Sequence, residues 1–247
     1  MAKPVLLVTG GSRGIGAATA ECAARQGYRV VVNYHSRADA AAVVVDRIQA
    51  AGGEAVAMAA DVGDPDAVAR LFQRIDALWG PVAALVNNAG ITIGRRPFME
   101  MTIPQMRQVM DTNLDGVFYC LWQAVARMAR SRGGMGGAIV NVSSEAGKFG
   151  GNCISAYAAA KAGVTTLTVA LARELAPEGI RINAVSPGVI DTEPVYDPDP
   201  QKRAALAASL PMGRLGTPEE VAETILWLLS DKAAYVAGAV VTVAGGR

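Results

Sequence analysis

Tyr157 and Lys161 stand four residues apart in the run SAYAAAKAG at 155–163. Alanine has the highest intrinsic helix propensity, so the run predicts a helix. Positions four apart on a helix project from one face, one turn above the other. A free phenol titrates near pH 10, too high for acid–base catalysis at neutral pH. A cation about 4 Å away, at an effective dielectric constant of about 20, favours the phenolate by roughly 4 kcal/mol, or about 3 pKa units. The same pair on an ordinary surface helix would do nothing, with the lysine lying along the ring. The remainder of the chain decides between these two readings.

A second set of residues suits a nucleotide. The stretch TGGSRGIG runs from Thr9 to Gly16, with Gly10, Gly14 and Gly16 spaced G-x-x-x-G-x-G and Ser12, Arg13 and Ile15 between them. It follows an apolar run and opens a helix-like segment. The spacing is a variant of the G-x-G-x-x-G dinucleotide fingerprint, with a different turn. Small residues let the backbone approach a pyrophosphate, and a helix N-terminus offers N–H groups and the positive end of its dipole. A site built for NAD places a carboxylate about 20 residues beyond the glycines, on the ribose 2′-hydroxyl. Here the next strand-like run ends Asn33, Tyr34, His35, Ser36, Arg37, without an acid. Arg13, His35 and Arg37 are cationic or hydrogen-bonding donors suited to a 2′-phosphate. The expected cofactor is NADP(H).

The elements that must position these groups alternate along the chain. Near-continuous apolar runs occur at 4–9, 28–34, 54–60, 82–88, 137–143, 180–186 and 239–244. Helix-like segments occupy 14–26, 37–51, 65–79, 104–132, 155–176 and 217–230. Continuously apolar strands have both faces covered, and strands separated by helices form right-handed crossovers. The expectation is an α/β fold, one doubly wound Rossmann domain spanning 1–247 with a seven-stranded parallel sheet flanked by helices.

Composition excludes several classes. The 247 residues are 51% hydrophobic and 18% charged, as in a globular chain. A net charge of +1 argues against nucleic acid or an anionic membrane as partner. No apolar run approaches the roughly 18 residues of a membrane span. The start MAKPVLLVTGG enters a strand and turn directly and lacks a signal-peptide cleavage region. Cys22, Cys120 and Cys153 are scattered, without a CxxC, and read as reduced thiols. Cytoplasmic localisation is expected. His35 is the only histidine, so no metal site is expected, and no Ser-His-Asp triad can be built without it.

TGGSRGIG, NNAG at 87–90, NVSS at 141–144, YAAAK at 157–161 and SPGVIDT at 186–192 occur in the order and spacing of the short-chain dehydrogenase/reductase family. The resemblance covers essentially the whole chain. It is greatest to bacterial β-ketoacyl-carrier-protein reductases and glucose-1-dehydrogenase-like members, with NYHS resembling the latter. The resemblance implies that Tyr157 is the proton donor or acceptor and that Lys161 also holds the nicotinamide ribose. It implies that Ser144, thirteen residues before Tyr157, binds the substrate carbonyl, with Ser143 the neighbouring candidate. Asn113 in DTNLDG matches the asparagine that steadies a water-mediated proton relay to the lysine. Asp61 and Val62 resemble residues flanking the adenine. The resemblance also implies that Asn88, Ala89 and Gly90 line the cofactor, and Pro187, Gly188, Ile190 and Thr192 resemble the segment that holds the carboxamide.

The substrate is less determined. A lid is expected over about 190–216, with prolines stiffening its entry and exit and a helical middle. It carries Asp197, Asp199, Lys202 and Arg203, so its charge indicates no substrate class. Ile93, Gly94, Gly150, Cys153 and Ile154 are expected to line the pocket. A small ketone or sugar is the first expectation. Reduction of a 3-oxoacyl group on an acyl carrier protein is the alternative, with Arg130, Arg132 and Arg173 meeting the acidic carrier. The glycine-rich SRGGMGGA at 131–138 is longer than the corresponding family loop and puts that docking register in doubt. A non-catalytic NADPH sensor is a further alternative, opposed by the intact Ser144, Tyr157 and Lys161. Val109, Val117, Leu121 and Val125 on one helix and Val164, Leu167, Leu171 and Leu175 on another read as apolar on more than one face, and a helix buried on both sides needs a partner. With the family's pairing, this gives an expected homotetramer.

Overall fold

The computed structural model describes residues 3–192 and 199–247. Among these, strands β1 (Val5–Val8), β2 (Arg29–Tyr34), β3 (Glu54–Ala59), β4 (Ala84–Asn87), β5 (Gly137–Val142), β6 (Ile180–Pro187) and β7 (Val240–Val243) form one seven-stranded sheet in the order β3-β2-β1-β4-β5-β6-β7. Every neighbouring pair is parallel. The helices are α1 (Gly14–Arg25), α2 (Ala38–Ala50), α3 (Pro65–Trp79), α4 (Ile103–Met110), α5 (Gly116–Met128), α6 (Ala146–Phe149), α7 (Ser155–Leu175), α8 (Pro200–Ala208) and α9 (Pro218–Leu229).

Alternate residues of each central strand enter two different cores, which is why the runs are apolar throughout. From β1, Leu6 and Val8 pack with Val44, Ile48, Ile225 and Leu226 under α1, α2 and α9. Val5 and Leu7 face the other way, against Leu71, Phe72, Ile75 and Leu121 under α3, α5 and α7. β7 departs from the expected pattern: Val240 and Thr242 are exposed and Val241 and Val243 half-buried. It is an edge strand, with one side free of any strand and incomplete helical cover.

The chain order reverses between β1 and β4, because β1–β3 build outward in one direction and β4–β7 in the other. The crevice at the carboxyl ends of β1 and β4 is where such folds bind ligands. Gly10–Gly16 and Asn88–Gly90 both lie there.

The helix expected at 104–132 is interrupted. Residues Asp111–Asp115 form a π-helical turn between α4 and α5, and Arg130–Arg132 form a separate tight turn. The cause is Asn113, fully buried, whose amide turns inward and donates to Val109 O at 2.8 Å and Ile91 O at 2.9 Å. Such insertions of one residue into a helical turn recur at functional sites.

The residues expected to spread over more than one face of these helices lie on the inward side instead. Val109, Val117, Leu121, Val164 and Leu175 are buried, and Val125, Leu167 and Leu171 pack against the same core. They face the sheet side. The outer faces of α5 and α7 are apolar through other residues, Phe118, Trp122 and Val169, with Trp122 74% exposed.

Candidate active site

The glycine turn is held from three directions. Gly10 (φ +60°) and Gly14 (φ +53°) adopt the left-handed conformation that favours glycine. A Cβ on Gly16 would lie 2.3 Å from Gly10 O and 2.5 Å from Asn88 Nδ2, so no side chain fits there. Asn88 Nδ2 donates to the carbonyls of Thr9 and Gly10, both at 3.0 Å. Thr9 Oγ1 in turn accepts from the N–H groups of Asn88 at 2.9 Å and Ala89 at 3.0 Å. Asn33 is 1% exposed and donates to Met58 O and Ala60 O, while its Oδ1 accepts from Gly10 N at 3.3 Å. Its side chain is occupied in fastening the turn to the ends of β2 and β3.

This turn fits a dinucleotide pyrophosphate. Helices α3, α4, α8 and α9 begin on side-chain caps from Asp64, Thr102, Asp199 and Thr217. Helix α1 begins at Arg13 with no side-chain cap and no acid in its first turn. Its leading N–H groups are therefore left for a ligand or water. Gly14 and Thr192 close on each other, since a Cβ on Gly14 would sit 3.0 Å from Thr192 Cγ2.

At the end of β2, Tyr34 is half-buried and His35 and Ser36 are exposed, as is Arg13 across the turn. His35 Nε2 lies 3.8 Å from Asp61 Oδ2, which joins the β2 and β3 ends. Arg37 is partly committed to Asp39, at 3.5 Å. An open cleft of about 560 Å³ beside α1 is lined by Ser12, Arg13, Gly14, Arg37 and Thr192, and also by Glu21, Asp39 and Glu219. Val62 is buried, with Gly116 fitted against it: a Cβ there would lie 2.9 Å from Val62 Cγ2. On the far side, Gly188 N donates to Val243 O at 3.0 Å, and Ile190 bridges to Gly216.

The candidate catalytic residues stand where β5 and α7 meet. Ser143 is buried, its hydroxyl occupied by Lys161 O at 2.9 Å and Thr165 Oγ1 at 2.8 Å. Ser144 is half-buried, and its Oγ accepts from Ala146 N at 3.1 Å, which leaves the hydroxyl proton to donate elsewhere. This geometry favours Ser144 over its neighbour. Lys161 is 3% exposed, and its ammonium donates to Val142 O at 2.7 Å. Burial pushes its pKa down from 10.5 to about 8. The ammonium is 5.8 Å from the centre of the Tyr157 ring. Gly90 completes the group: a Cβ there would lie 2.8 Å from Asn113 Oδ1 and 3.6 Å from Lys161 Nζ. Asn113 Oδ1 also accepts from Ile91 N at 3.2 Å, so its amide grips the backbone beside Gly90.

Around Tyr157 runs a narrow cleft lined by Ile93, Gly94, Cys153 and Ile154, as expected, and by Thr92, Met101, Val109 and Ala156. Gly150 is not among its lining residues. Of the lid, residues 193–198, including Asp197, lie outside the described residues. Its middle is helical as expected, as α8, and Asp199 caps it by accepting from Gln201 N at 2.9 Å. Arg203 pairs with Asp191.

Glu145 is the residue that motif reading passed over. It follows Ser144 directly and is 6% exposed. Its Oε1 accepts from Ser186 Oγ at 2.7 Å and Thr242 Oγ1 at 3.2 Å, and its N–H donates to Pro187 O at 3.1 Å. Its Oε2 is buried without a hydrogen-bond partner among the described residues. Glu145 thus ties the serine turn to the ends of β6 and β7. The signal available in sequence was a lone carboxylate in NVSSEAG, between a candidate serine and small residues.

The family model described as enoyl-(acyl carrier protein) reductase matches residues 10–247. The chain belongs to the short-chain dehydrogenase/reductase family. Members are oxidoreductases that use nicotinamide cofactors. This dehydrogenase/reductase is 46% identical over 246 residues to the uncharacterized oxidoreductase YgfF of Escherichia coli K12, covering 98% of this chain and 99% of that protein. It is 43% identical over 245 residues to cis-4-hydroxycyclohexanecarboxylate dehydrogenase of Sinomonas cyclohexanicum, covering 99% and 96%. It is 40% identical over 240 residues to the 3-oxoacyl-[acyl-carrier-protein] reductase FabG of Staphylococcus aureus Mu50, covering 97% and 96%. Among its described residues, no helix is long and apolar enough to cross a membrane and no group of His, Cys, Asp or Glu could hold a metal ion.

Proposed function

We propose that this oxidoreductase interconverts a carbonyl and an alcohol on a small ketone or sugar, with NADP(H) as cofactor. The observation that carries the reading is the buried Lys161 ammonium, 5.8 Å from the centre of the Tyr157 ring and anchored on the carbonyl of Val142, two residues before Ser144. Gly10–Gly16, Ala89, Gly90, Ile190 and Thr192 would hold the cofactor, with Pro187 and Gly188 at the nicotinamide end. When bound, NADPH supplies the hydride.

The side chains do the rest. Ser144 Oγ donates to the substrate carbonyl oxygen and orients it. Tyr157 Oη gives its proton to that oxygen as negative charge develops there. Lys161, charged in a low-dielectric setting, stabilises the phenolate left behind. Asn113 holds the backbone at Ile91 and so keeps open the space beside Lys161 from which a replacement proton reaches the site. Oxidation of the alcohol is the same path in reverse.

The name of the Sinomonas relative, which acts on a hydroxylated ring acid, supports a small-molecule substrate. The Staphylococcus relatives support a second reading, reduction of a 3-oxoacyl group on a carrier protein. In its favour, Arg130, Arg132 and Arg173 are all exposed and can meet an acidic partner. Activity on a carrier-bound substrate that falls steeply with salt would favour it.

The deciding experiment is Tyr157→Phe. It is expected to bind NADPH as the native protein does, by fluorescence titration, and to lose turnover by at least about 100-fold. Retained turnover would sink the assignment of the proton donor.

A further inference from the structure

We propose that Ser143 and Thr165 are positioning residues for the reaction: their hydroxyls clasp the backbone of Lys161 and so set where Tyr157 stands relative to the Lys161 ammonium. The inference rests on the carbonyl–alcohol reading, in which that ammonium stabilises the Tyr157 phenolate.

Consecutive residues at the end of β5 hold Lys161 at both ends. Its ammonium donates to Val142 O at 2.7 Å. Its own carbonyl accepts from Ser143 Oγ at 2.9 Å and from Thr165 Oγ1 at 3.1 Å, and the two hydroxyl oxygens are 2.8 Å apart. Each hydroxyl has one proton to donate. In whichever order the two protons are arranged, both stay inside this triangle and neither is left for a substrate. Helix α6 closes a further side: a Cβ on Gly147 would lie 2.8 Å from Lys161 C and 3.1 Å from Lys161 O. The segment from Ser143 through Ser144 to Gly147 thus wraps the Lys161 peptide.

The clasp matters because the ammonium belongs to β5 and the phenol to α7. A lysine stem is long and flexible. The bond from Nζ to Val142 O therefore fixes the cation against the strand without fixing the helix that carries Tyr157. Asn141 Nδ2 donates to Thr168 Oγ1 at 2.9 Å and also ties α7 to β5. That bond grips the helix at 168, about 16 Å along its axis from Tyr157, whereas the clasp grips it at the Lys161 carbonyl, about 6 Å away. Without the clasp, α7 stays docked at Thr168 and its Tyr157 end is free to shift from the anchored ammonium.

The charged groups on the elements packed against α7 are engaged elsewhere. Arg107 pairs with Asp111 at 3.2 Å and Asp115 at 3.9 Å, and Lys148 lies over the Phe149 ring. Arg181 donates to Leu228 O, Glu178 accepts from Ser131 N, and Glu145 accepts from Ser186 and Thr242. Arg173 and Glu174, on α7 itself, are exposed and lie beyond Thr168. Among the described residues, Lys161 is the cation over the Tyr157 ring.

The test is a pH titration of phenolate absorbance, with the same titration of Tyr157→Phe subtracted to leave the Tyr157 signal. That signal belongs to the Tyr157–Lys161 pair. In the native protein its midpoint is expected well below the ordinary phenol value of about 10. In Thr165→Val and in Ser143→Ala it is expected to rise by about 0.5–1 pH unit, because the attraction weakens as ammonium and ring separate. Thr165→Ser keeps the hydroxyl and is expected to titrate as the native protein does. Thermal denaturation of the same variants separates positioning from packing. A lowered native midpoint that Thr165→Val and Ser143→Ala both keep, whatever their Tm, would overturn the proposal alone, as would an equal rise in Thr165→Ser. A native midpoint near 10 would overturn the underlying reading and the proposal with it.

Discussion

The ammonium of Lys161 lies 5.8 Å from the centre of the Tyr157 ring and is anchored to the carbonyl of Val142 at 2.7 Å. It is held as a cation at the phenol while almost fully buried, and the price is a pKa lowered from 10.5 to about 8. Below pH 8 the folded protein keeps a buried charge that the unfolded chain solvates freely. Between about 8 and 10.5 the folded form has lost this proton and the unfolded form still holds it, so stability rises with pH through that window. Lys161→Met lacks this component. Denaturation at pH 7.5 and pH 10 is expected to show the native protein gaining up to about 3 kcal/mol relative to the variant. A difference that does not change with pH would mean that Lys161 titrates as an ordinary lysine.

Cofactor preference is expected to lie in Arg13 and Tyr34. A carboxylate at the Tyr34 position would hold two ribose hydroxyls but repel a 2′-phosphate. With tyrosine there, Arg13 can pair with the phosphate, worth about 1.5–3 kcal/mol, or about 10- to 150-fold. The native protein is expected to show higher kcat/KM with NADPH than with NADH, with the preference lost in Arg13→Ala and reversed in Tyr34→Asp. Equal use of both cofactors by the native protein would refute this. Full preference in Arg13→Ala would move the discriminating contact to His35, Ser36 or Arg37.

Glu145 is expected to be needed for its oxygen positions. In Glu145→Ala, the Ser186 and Thr242 hydroxyls lose their buried acceptor, a loss of about 1–3 kcal/mol. The clamp on Ser144 and Pro187 loosens with them, so kcat falls as well. Glu145→Gln can present an amide oxygen at the same place and is expected to retain most of both. Thermal denaturation and kcat on the two variants check this, and an alanine variant as stable and as fast as the native protein would remove Glu145 from the site's architecture.

Assembly as a homotetramer is expected through the outer faces of α5 and α7. Phe118 and Trp122 are one turn apart on α5, and Val169 is exposed on α7. Trp227, Tyr235 and Val240 expose a second apolar surface near the edge strand β7. Trp122→Arg buries a charge in the first of these contacts and is expected to yield smaller species in sedimentation, with the subunit fold intact. A native protein that sediments as a monomer would rule the assembly out.

Much of this was legible in the sequence because it depends on short-range rules. Apolar runs separated by helical periods determined the parallel sheet, since strands covered on both faces have no polar side to show. The glycine spacing determined a tight turn after β1, and four-residue spacing put Tyr157 and Lys161 on one helical face. What only the tertiary structure decided involves partners far apart in the chain. Asn113 lies within an unbroken helical pattern, and its inward turn is set by Ile91, 22 residues away. Ser143 and Ser144 are chemically identical, and burial against Thr165 is what removes the first from the cleft. Glu145 reads as a surface acid until Ser186 and Thr242, 41 and 97 residues away, close on it. That Phe118, Trp122 and Val169 are the outward apolar residues was not legible for the same reason: periodicity reports that a helix has an apolar face, and only the packed sheet decides which residues are already covered.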